Sequence, residues 1–97
     1  MAPIILIDTE NTLGRVDLNI VNETIWVSSL RTNGDDAELL VNAYDLQGKF
    51  LEDYVLPGLS KKRSGGFPQI TEYGDGLLVS YTDVSKEVPF IRSYVME

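Results

Sequence analysis

Displaced by 52 residues, the sequence aligns with itself without a gap. Residues 14–31 fall on residues 66–83, placing Gly14 on Gly66, Val27 on Val79 and Ser28 on Ser80. Leu18 falls on Ile70, Ile25 on Leu77 and Glu23 on Asp75. Three identities in 18 positions gain weight because turn meets turn and apolar face meets apolar face. A chain that repeats itself at this spacing folds as stacked copies of one supersecondary unit, each burying a surface that it could not bury alone.

The unit is made of strands. Ile, Val, Thr, Tyr, Phe and Trp recur in runs of about six residues, a usual strand length. Turn clusters separate the runs: Asn22-Glu23, Asn33-Gly34-Asp35-Asp36, Gln47-Gly48-Lys49, Pro57-Gly58 and Gly74-Asp75-Gly76. This punctuation predicts eight strands, at 3–8, 16–21, 24–31, 38–45, 50–56, 67–73, 76–82 and 89–96. Residues 35–44 also fit a helix, with acidic residues first, Leu39, Leu40, Ala43 and Tyr44 at helical spacing, and Gly48 as a stop. The repeat decides for strand. The counterpart, Val88 to Val95, offset by one residue, holds Pro89 and β-branched residues and makes a poor helix.

Composition narrows the function classes. Ninety-seven residues make one domain. Fifteen acidic residues against 8 basic ones give a net charge of −7, the wrong sign for a nucleic-acid partner. With no cysteine and no histidine, the chain has no disulfides, no zinc site built on those ligands, and no Cys-His or Ser-His nucleophile system. The longest apolar run, Ile4 to Ile7, is far short of a membrane span and lacks the flanks of a signal peptide. No cofactor and no metal are expected.

A repeat of about 50 residues built from four short strands points to an all-β fold of two β-propeller blades, since one four-stranded sheet leaves a face bare and radially stacked sheets do not. A β-sandwich with two similar halves is the alternative. The first unit runs through 16–21, 24–31, 38–45 and 50–56, and the second through 67–73, 76–82 and 89–96. The strand at 3–8 precedes both, so the single module 1–97 reads as a permuted strand, a blade over 14–56 and a partial blade over 65–97.

Two stretches resemble a known family. Arg63-Ser64-Gly65-Gly66-Phe67-Pro68-Gln69-Ile70, followed by Gly74-Asp75-Gly76 and then Tyr81-Thr82-Asp83, is similar to the last blades of bacterial sialidase-like propellers, with their R-x-SGFP-like entry, GD hairpin and AWTD-like strand end. Leu13-Gly14-Arg15-Val16-Asp17 resembles the entry to the preceding blade. The Asp-box S-x-D-x-G-x-T-W of many sialidases is absent, as is a clear tyrosine–glutamate nucleophile pair. The resemblance implies six blades and an arginine cluster for a substrate carboxylate, which a guanidinium fork grips bidentately. Arg15 and Arg63 match that role at the entries to innermost strands, with Asp17 and its repeat counterpart Gln69 beside them. Ion pairs on a surface rim are the plainer role for the two arginines.

The resulting expectation is a non-catalytic sialidase-like module, a self-assembling scaffold or glycan-binding protein. The alternative is a glycoside hydrolase, or a fragment of one, that binds an acidic sugar through its arginines. Two blades per chain and six per ring imply a homotrimer, with strand 3–8 completing the partial blade of the next copy. Asn33-Gly34-Asp35-Asp36 lacks calcium-loop spacing and reads as a solvated turn. Lys61-Lys62-Arg63 reads as a charged, soluble loop, and Trp26 as a core residue between blades rather than a sugar platform.

Overall fold

The computed structural model describes residues 12–34, 36–60 and 68–97, and their side chains except at 12, 14, 15 and 33. The expected strand at 3–8, the basic run Lys61-Lys62-Arg63 and the start of the strand at 67–73 lie outside the described residues. Among the described residues there are seven strands and no helix. They are β1 (Thr12–Val21), β2 (Thr24–Asn33), β3 (Asp36–Asp45), β4 (Phe50–Leu59), β5 (Gln69–Tyr73), β6 (Gly76–Asp83) and β7 (Phe90–Met96). They form two antiparallel meanders, a four-stranded sheet β1-β2-β3-β4 and a three-stranded sheet β5-β6-β7.

The segment that also fits a helix is strand from Asp36 onward, and β3 is buried on both faces from Ala37 to Tyr44. A strand flanked on both sides by partners and covered on both faces reads as a continuous apolar run, which is what mimics a helix in sequence. Between β1 and β2, Asn22 and Glu23 take φ of 47° and 63°, the left-handed pair that a two-residue hairpin needs to match strand twist. After β3, the Asp45 carboxylate accepts the backbone N–H groups of Gln47 and Lys49, both at 2.9 Å, and Gly48 takes φ of 88°.

Pro57-Gly58 does not form the expected turn. It lies inside β4, where three steps from Leu56 to Leu59 face two from Leu39 to Ala37, a bulge. Proline is tolerated because β4 is an edge strand among the described residues, and Gly58 supplies the φ of 90°.

The register carries the 52-residue shift through three strands. Asp17 pairs with Ser28 as Gln69 pairs with Ser80; Val27 pairs with Asn42 as Val79 pairs with Tyr94; Ile25 pairs with Tyr44 as Leu77 pairs with Met96. β3 and β7 therefore correspond at the full 52 residues, without the one-residue offset expected from sequence.

The sheets pack face to face. Trp26, Leu30, Leu39, Val41 and Leu56 of the first sheet join Leu77, Val79, Tyr81 and Met96 of the second in one hydrophobic core. Trp26 is 1% exposed, in the core position expected of it. β4 lies against β6, and β1 against β5.

Candidate functional site

Period-two alternation sets where each expected site residue stands. Asp17 shares a face with its cross-strand partner Ser28, the face turned toward the second sheet, and is half-buried there. Gln69 shares a face with Ser80, turned away from the first sheet, and is exposed. Each occupies the same face of its own repeat, one turned toward the other sheet and one away from it, so the two do not converge. The side chain of Arg15 and the whole of Arg63 lie outside the described residues. The first strands of the two units, β1 and β5, touch each other.

Beside Asp17 and Asn19 on β1, the inter-sheet face carries Ser28 and Trp26 on β2. The Trp26 Nε1 and Ser28 Oγ atoms are buried with no hydrogen-bond partner. The Trp26 ring stacks on Tyr54 across the small Ala43, with centroids 6.5 Å apart. Buried polar atoms left without a partner cost stability.

A second polar cluster fastens the sheets together. Asp83, 2% exposed, accepts hydrogen bonds from the Ser85 backbone N–H at 2.9 Å and the Ser85 hydroxyl at 2.5 Å, and pairs with Arg92 Nε at 2.5 Å. These donors, the Ser85 hydroxyl first, hold its carboxyl below the ordinary aspartate value despite burial. Tyr81 donates to the Pro57 carbonyl at 2.8 Å, and the Val84 N–H to the Gly58 carbonyl at 2.7 Å. Burial, then hydrogen bonding with Tyr94, pushes the Tyr81 phenol well above its usual range. The Arg92 guanidinium also lies 4.7 Å from the Phe90 ring centroid. A β-carbon on Gly58 would sit 2.5 Å from Asp83 Oδ1, so glycine is required where the two sheets approach. With its donors in place around neutral pH, the cluster holds structure and moves no proton.

The sequence reading missed this cluster. Its signal was present: along Leu77, Val79, Tyr81 and Asp83, one face of β6 runs apolar, apolar, aromatic, then charged. A carboxylate at the end of a buried face demands a cation and hydroxyl donors nearby. Elsewhere, Glu23, Asp45, Leu46 and Gln47 line a shallow notch at the hairpin end, but the Asp45 carboxylate is engaged by its own loop. Among the described residues, no group of three or more Asp, Glu, His or Cys converges on a metal position. Compared with protein-family models, curated proteins and solved structures, the chain matches none of them.

Proposed function

We propose that the chain is a non-catalytic module of two successive β-propeller blades, which assembles with further copies into a ring and serves as a scaffold or glycan-binding protein. The observation that carries this reading is the common cross-strand register of β1-β2-β3 and β5-β6-β7 at a shift of 52 residues. Repeated sheets that pack face to face, with their first strands adjacent, are the elements of a radial stack. In that stack the segment 3–8 supplies a fourth strand to the three-stranded sheet of a neighbouring copy. Three copies then make the six blades that the sialidase resemblance implies.

The ligand of this proposal is a carboxylated glycan, held near the entries to β1 and β5 by Arg15 and Arg63, with Asp17 and Gln69 on the adjoining strands. Guanidinium forks bind a carboxylate without any nucleophile. The test titrates the protein with sialic acid-terminated and neutral oligosaccharides, and incubates it with a fluorogenic sialoside and a panel of aryl glycosides. The expected result is binding of the acidic sugar, loss of binding in the Arg15→Ala/Arg63→Ala double variant, and no turnover. Turnover abolished by Arg63→Ala would establish the hydrolase instead.

A further inference from the structure

The outer strands of the two sheets are not equally guarded. A strand at a sheet's edge offers unpaired N–H and C=O groups to any extended chain, and proteins blunt such edges with bulges, proline, charge or shortness. Among the described residues the edges are β1 and β4 of the first sheet and β5 and β7 of the second. β1 carries an irregularity between Thr12 and Val16 and a carboxylate at Asp17. β4 carries irregularities near both ends of its pairing with β3, together with Pro57 and the acidic Glu52-Asp53. β5 is only 5 residues long, holds Glu72 and touches β1.

β7 has none of these devices. Its 7 residues contain no proline, glycine, lysine or carboxylate, and Pro89 stands just outside the strand. The pairing with β6 runs without a break from Asp83–Phe90 to Leu77–Met96. The one charge, on Arg92, is held by the Asp83 carboxylate. Ile91 and Val95 are 72% and 52% exposed on the outward face, on either side of the exposed Ser93. The corresponding edge of the first sheet, that of β3, is closed by β4.

We infer that the open edge of β7 accepts residues 3–8 of a second copy as an antiparallel strand, in the place that β4 holds beside β3. This rests on the proposed reading of the sheets as successive blades, and adds which edge receives the strand. Displaced by 52 residues, 3–8 falls on 55–60, the latter half of β4 and its exit, with Ile4 on Leu56 and Ile7 on Leu59. Main-chain hydrogen bonds give such strand addition its affinity. The run Ile4-Ile5-Leu6-Ile7 gives Ile91 and Val95 the cross-strand apolar neighbours that a bare edge lacks. In the single chain both side chains stand bare, which assigns the strand to another copy.

The test is amide hydrogen exchange, read by nuclear magnetic resonance, on the unaltered chain and on Ile5→Pro, which alters only the donated segment. Alternate amides of β7 face away from β6. In the assembled protein they are expected to exchange about 100-fold more slowly than the edge amides of β5, and to lose that protection on dilution to the monomer. Ile5→Pro is expected to be monomeric, with an unchanged β spectrum and an unprotected β7 edge at every concentration. Edge amides of β7 that exchange as fast as those of β5 at high concentration would overturn the inference. Protection that survives dilution would overturn it by placing the donor in the same chain, and protection that survives Ile5→Pro by assigning another donor. None of these outcomes touches the blade reading. That reading falls instead if nuclear Overhauser contacts in either protein depart from the pairing of β6 with β7.

Discussion

Asp83 shows how one side chain can couple the two sheets to pH. Its carboxyl is nearly sealed from water, yet the Ser85 hydroxyl and Arg92 favour its charged form and lower its pKa. A depressed carboxylate pKa stabilises the fold fully above the unfolded value, near 3.8, and that contribution fades as pH falls through the lower folded value. Asp83→Asn removes the charge while nearly keeping the volume. It is expected to cost about 1–3 kcal/mol at neutral pH, through donors left without a charged acceptor. Denaturant melts of both proteins between neutral pH and strong acid should show this gap closing below pH values near 3.8. A gap that stays constant into strong acid would mean that the carboxylate contributes nothing through ionisation.

At the scale of elements, the β1–β2 hairpin carries an identifiable flaw. Glu23 holds φ of 63°, a left-handed conformation that strains any residue with a β-carbon. Glu23→Gly creates the Asn-Gly pair best suited to this turn and should stabilise the protein by about 0.5–1 kcal/mol, after the extra chain entropy of glycine is set against the relief of strain. Thermal melts check this, and an unchanged or lower midpoint would contradict it. Strands and turns were largely legible in the sequence because period-two alternation and left-handed turn residues act locally. Residues 35–44 were harder: β3 is buried on both faces and so loses the alternation that marks a strand. Pro57-Gly58 misled for the opposite reason, since the residues of a turn also make an edge bulge, and only the register against β3 tells them apart. Asp17 and Gln69 were matched correctly as repeat counterparts, but their directions follow from how the sheets stack, which no local pattern encodes. The Asp83–Arg92 pair depends on cross-strand neighbours and emerges only once β6 and β7 are in register.

For the whole molecule, the decisive fact is that two sheets with the same cross-strand register at a shift of 52 residues pack into one hydrophobic core. The outward face of the three-stranded sheet leaves Ile91 and Val95 exposed, and an apolar face on a small acidic chain favours burial by association. A heterologous contact that closes into a ring satisfies every copy equally, where one that fails to close would give filaments. The account also assigns the segment 3–8 to a neighbour's three-stranded sheet, so a chain lacking residues 1–9 loses both the donated strand and part of the contact. The most direct measurement is the mass in solution, by multi-angle light scattering after size exclusion at micromolar concentration. The account predicts a single species of about three times the 10.8 kDa chain mass, and its dissociation when residues 1–9 are removed. A well-folded monomer of 10.8 kDa under those conditions would contradict it.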